Sequence, residues 1–111
     1  MEYTECVDII RYETMAPDGF VSLARERKVD EEKYSRLKQA IFRLAQLTAT
    51  DLVLDKAAVA YLFDLPWIFE NWADRLDDDN PVLSKQVSRM AEELREEIMG
   101  LLWNGIDVPF D

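Results

Sequence analysis

The chain has 111 residues, 49% of them apolar, with three Trp, four Tyr and five Phe. That is enough for one domain to bury a core without a disulfide or a structural metal. A net charge of −10, a single cysteine and no histidine exclude a disulfide-stapled secreted scaffold and every chemistry that needs imidazole.

The first stretch, Tyr3 to Tyr12, fits two readings. Tyr3, Val7 and Ile10, with Cys6 and Ile9 beside them, suit one helical face, while the β-branched content allows a short strand. Ala16-Pro17-Asp18-Gly19 is a turn signal. The next stretch, Phe20 to Lys28, reads as a short helix with Phe20, Leu23 and Ala24 inward. Asp30 is placed as an N-cap, with Glu31 and Glu32 in the acidic first turn that the helix dipole favours. From there Tyr34, Leu37, Ile41, Leu44 and Thr48 recur at steps of three and four, with Phe42 and Leu47 widening the stripe, to a helix end near Thr48.

Asp51 to Leu65 is apolar nearly all round, which predicts a centrally buried helix, capped by Asp55 behind an entry segment Leu52-Val53-Leu54. Pro66 opens another helix whose inward stripe is Leu65, Ile68, Phe69, Trp72 and Leu76. Asp77-Asp78-Asp79-Asn80 forms a loop, and Asn80-Pro81 signals a helix start. The last helix carries Leu83, Val87, Met90, Leu94, Ile98 and Leu101 inward and ends at the Asn104-Gly105 cap signal. Val108 and Phe110 are then available to pack back. The expected fold is all-α: a single-domain irregular bundle of four to five helices and at most one short N-terminal strand, over residues 1–111.

No activity is legible. Without histidine, neither Ser-His-Asp and Cys-His systems nor HExxH metal sites are available. One cysteine leaves no CxxC redox pair, and the three isolated glycines make no phosphate loop. The longest apolar run, Ala57 to Phe63, has seven residues, against about 20 for a membrane span. The start is acidic and has no signal-peptide pattern, so a cytoplasmic protein is expected. Neither a cofactor nor a metal is expected.

Charge is uneven. Residues 1–48 hold 9 acids and 8 bases, whereas residues 49–111 hold 14 acids and 5 bases. Phosphate backbones and anionic membranes need cations, so direct contact with nucleic acid or membrane is disfavoured. A basic protein partner would be steered toward the second half. The expected partner surface is Glu70, Asp74, Asp77, Asp78 and Asp79, with Glu92, Glu93, Glu96 and Glu97 as a second acidic ridge and Trp67 as an apolar anchor. On the helix surface, Glu32 is expected to pair with Arg36, Arg89 with Glu93, and Glu92 with Arg95. Trp72 is expected in the core, and Trp67 and Trp103 are interface or packing residues.

Glu92, Glu93, Glu96 and Glu97 also stack one turn apart, a spacing at which carboxylates hold Mg²⁺. This resembles one half of the site of all-α nucleotide pyrophosphohydrolases, where a Glu-x-x-Glu pair faces a second acidic pair on another helix. The resemblance covers a few residues. Glu70 and Asp74 would have to supply the second pair, and they lie upstream, against the family's order.

The leading expectation is a small acidic domain that neutralises a basic, nucleic-acid-processing protein, as an immunity protein, antitoxin or phage-encoded inhibitor does. Its physical logic is carboxylates standing in for phosphates. The alternative is a non-catalytic adaptor, secretion chaperone or assembly factor acting as a homodimer. The third reading is the Mg²⁺-dependent pyrophosphohydrolase.

Overall fold

The computed structural model describes residues 1–107, through which six helices run: α1 (Tyr3–Met15), α2 (Phe20–Arg25), α3 (Glu31–Leu47), α4 (Lys56–Leu62), α5 (Leu65–Leu76) and α6 (Pro81–Trp103). The expected all-α bundle is what forms, and the ambiguous first stretch is a helix; no strand occurs among the described residues. Cys6, Ile9 and Ile10 are buried, so a 3.6-residue period decides that stretch. Val108 and Phe110, expected to pack back, lie outside the described residues.

The caps fall where the side-chain chemistry places them. The Asp30 carboxylate accepts from the N–H groups of Glu32 and Lys33, at 3.0 and 3.1 Å. Asp55 accepts from Ala57 and Ala58, and Asn80 from Leu83. Each satisfies donors that a helix start leaves orphaned. At the other end of α6, Gly105 takes φ 77°, the left-handed conformation a helix C-terminus favours in glycine. Asn104 Nδ2 donates to the Ala45 carbonyl at 2.7 Å, tying that end to α3.

The start of α2 uses a more distant cap. Glu13, fully buried on α1, accepts from the Phe20 N–H at 3.0 Å through Oε1. Gly19 makes the tight approach possible: a Cβ there would collide with the carbonyl oxygens of Tyr12 and Glu13.

α6 packs most extensively on α5 and also on α3, while α1 packs on α2, α3 and α4. The smallest extent, 19 Å, accommodates two helix layers at roughly 8–10 Å between axes. Phe20 lies at the junction of the layers, its ring 5.2 Å from Tyr34 and 5.5 Å from Phe69, which in turn stands 4.9 Å from Trp72. Buried Ser84 Oγ donates to the Ala73 carbonyl at 2.7 Å and sets the α5–α6 register.

Within Asp51 to Leu65 the helix does start at the Asp55 cap, behind the Leu52-Val53-Leu54 entry segment, but the expectation that it is centrally buried is overturned. The helix α4 has seven residues, of which only Ala58 and Leu62 are buried. Leu52, Val53 and Phe63 are 76%, 84% and 75% exposed. α4 packs mainly on α1 and α5, which leaves Val59 and Tyr61 half-buried and Ala57 and Ala60 exposed. Phe42, expected to widen the α3 stripe, is exposed too, and Trp72 packs half-buried at the edge of the core.

Candidate functional site

The expected surface residues divide between two helices. On α5, Trp67, Glu70 and Asp74 follow one another at steps of three and four and share the face turned away from buried Leu65, Phe69, Ala73 and Leu76. Asp64, in the bridge region at φ −104° and ψ 3°, breaks α4 from α5. Phe63 precedes that break and Trp67 follows it. Trp67 is 64% exposed. The outer face of α5 therefore presents one uncovered aromatic ring, Trp67, at its start and carboxylates toward its end, continued by the Asp77–Asp79 loop.

Cations reach only some of these carboxylates. Arg95 of α6 pairs with Glu70, and Arg27 pairs with Asp79 at 2.7 Å. No salt bridge reaches Asp74, Asp77 or Asp78 among the described residues. Arg95 was expected to pair with Glu92 and Arg36 with Glu32. Instead both turn to other helices, Arg36 approaching the buried Glu13 at 3.8 Å.

The second ridge splits. Glu92 and Glu96 are exposed on α6, whereas Glu93 and Glu97 are half-buried. Glu93 is engaged inside the protein. The Tyr34 hydroxyl donates to it at 2.6 Å, Lys38 at 3.2 Å, and Arg89 at 3.3 Å as expected for an i, i+4 pair. Arg89 also reaches Glu31 at 2.9 Å, locking α3 to α6. The Tyr34 hydrogen bond and the Lys38 ammonium hold the Glu93 carboxyl below the usual carboxylate range. Burial, and then the same carboxylate, push the Tyr34 phenol well above its ordinary value.

The two acidic groups are not one patch. Asp77–Asp79 precede Pro81, the first residue of α6. At about 1.5 Å of rise per residue, Glu92 and Glu97 stand roughly 16 and 24 Å along the helix from it. No three of the acid and thiol side chains among the described residues come close enough together to hold a metal ion. The facing acidic pair that the pyrophosphohydrolase resemblance requires would rest on Glu70, which Arg95 occupies.

Trp103 is 44% exposed near the end of α6. No helix among the described residues is long and apolar enough to cross a membrane. Compared with known families, curated proteins and solved structures, the chain matches none of them.

Proposed function

We propose that this chain is a protein-binding domain that docks a basic partner protein on the outer face of α5, and that it acts as an inhibitor of a nucleic-acid-processing protein. The observation that carries the reading is Trp67, 64% exposed on the same helix face as Asp74, with the Asp77–Asp79 turn following the helix end. An exposed Trp costs free energy in water, and interface anchors are enriched in Trp. Asp74, Asp77 and Asp78, which no cation neutralises among the described residues, supply the rim that steers a cationic surface toward the ring. In this reading Glu92 and Glu96 add to the long-range field, and Glu93 serves the fold.

A photo-crosslinking amino acid at position 67 or 78, in the native host, tests the docking face. The same partner captured from both positions, and not from position 53 on the α3–α4 connection, supports it. Capture from position 53 with equal yield would contradict it.

A second reading, the homodimeric adaptor or assembly factor, is favoured by one groove between α3 and α6. It is lined by Phe42, Ala45, Ala49 and Gly100, with Glu96 and Glu97 beside them, and Phe42 is 55% exposed. Light scattering at tens of micromolar separates the two: a dimer favours the adaptor, a monomer the inhibitor.

A further inference from the structure

A cavity lies on the side of α5 that faces α2. Its volume is about 250 Å³, and Arg25, Arg27, Arg75 and Trp72 line it together with apolar Leu76 and Val87. Three of the 13 bases of the chain thus converge on one small opening. The Arg25 guanidinium lies 5.9 Å from the centre of the Trp72 ring, close enough for a cation–π contact that fixes its direction. Neither Arg25 nor Arg75 meets a carboxylate among the described residues. In a protein with 23 acids, two arginines that line one cavity and form no salt bridge of their own are poised to accept an anion from outside.

Arg27 adds an independent sign. The end of α2 closes with Arg27 N–H donating to Ala24 O and Lys28 N–H to Leu23 O, the double closure that normally places glycine in the left-handed position. Here that position is Arg27, at φ 64°. A side chain with a Cβ is disfavoured there, so a non-glycine residue in this conformation points to work for its side chain. The guanidinium is held at the cavity by Asp79, 2.7 Å away.

We infer that this cavity binds a small phosphate monoester carried on a planar ring. Guanidinium forks match phosphate oxygens in pairs, and Trp72 with Leu76 and Val87 supplies an apolar wall for the ring. The volume lies below the roughly 300–1,000 Å³ of sites that enclose drug-sized ligands, so one ring or one phosphate group enters and the rest of the ligand stays in solvent. Asp79 competes with the ligand for Arg27, which makes the acidic loop an internal antagonist of the site. The inference does not rest on the partner-docking role of α5.

The test uses the full chain with Trp67→Phe and Trp103→Phe, which leaves Trp72 as its single tryptophan reporter. Phenyl phosphate, inorganic phosphate and phenol are titrated against its fluorescence. Saturable quenching by phenyl phosphate, weaker binding of inorganic phosphate and none by phenol is the expected result. Arg75→Gln weakens the binding about tenfold, the loss of one charge-assisted hydrogen bond. Asp79→Asn tightens it by freeing Arg27. Arg27→Gly, whose backbone relaxes, folds at least as stably and binds less tightly. Titration with phosphotyrosine and with a nucleoside monophosphate then distinguishes a protein-borne from a nucleotide-borne phosphate, and preference for either supports the site. The inference is overturned by the absence of saturable quenching with all the phosphates, or by equal affinity in wild type, Arg75→Gln and Arg27→Gly.

Discussion

Replacing Tyr34 with Phe removes one oxygen and tests the α3–α6 lock directly. The ring keeps its place 5.2 Å from Phe20, so the substitution costs little packing. What disappears is the 2.6 Å hydrogen bond to Glu93. A hydrogen bond to a charged group contributes about 1.5–3 kcal/mol. Lys38 and Arg89 still hold the carboxylate, which places the expected loss near the lower figure, about 1.5 kcal/mol. In a domain of 111 residues that loss lowers the midpoint of thermal unfolding by roughly 6 °C. The effect has a pH signature. The folded Glu93 carboxyl sits below its ordinary value because Tyr34 donates to it. The stability it contributes is therefore complete above its unfolded pKa of about 4.3. It is lost as the pH falls through the lower, folded value. Urea denaturation of wild type and Tyr34→Phe across the acid range measures this difference. A gap below about 0.5 kcal/mol at neutral pH, within ordinary surface-substitution scatter, would refute the reasoning, and so would a gap that does not begin to shrink as the pH falls below the unfolded value.

Three further outcomes follow from the same geometry. Glu13→Ala leaves the buried Phe20 N–H without its acceptor and costs about 1–3 kcal/mol for that group alone; faster hydrogen exchange at the Phe20 amide reports it. Gly19→Ala drives a methyl group into the backbone carbonyls of Tyr12 and Glu13 and destabilises by about 1–3 kcal/mol, as overpacking does, read from the denaturation midpoint. Trp67→Ala changes stability by no more than about 0.5 kcal/mol, because the ring is mostly uncovered, yet it abolishes partner capture; a large loss of thermal stability would instead make Trp67 a packing residue.

What could be read from the sequence was local. Asp30, Asp55 and Asn80 each sit just before the helix whose N–H groups they accept from, and capping depends on residues two or three apart. The stripes of α3 and α6 follow from a single period. The error over Asp51 to Leu65 arose where burial depends on what comes to cover a segment. An all-round apolar helix is central only when neighbours surround it, and α4 has two. The ion pairs divide the same way. Arg89 with Glu93 is one helical turn and was legible. Arg27 with Asp79, Arg36 with Glu13 and Arg95 with Glu70 join residues on different elements, where sequence spacing carries no information. The cavity of Arg25, Arg27 and Arg75 was hidden for that reason. Arg25 and Arg27 are near neighbours in the sequence, but Arg75 arrives from α5. Glu93 was expected on the partner surface and is instead held by Tyr34, Lys38 and Arg89; its buried partner Tyr34 was visible only as a member of a stripe.

The most direct test of the central claim compares two charge-matched triple variants with the wild type in low-salt capture from the native host. One variant reverses Asp74, Asp77 and Asp78 to Lys. The other reverses Glu2, Glu5 and Asp51, exposed acids on other parts of the protein. Both move the net charge from −10 to −4. A basic partner retained by the second variant and lost from the first is the predicted result, since only the α5 face has changed. Equal retention by both, or equal loss from both, would contradict a docking site on α5.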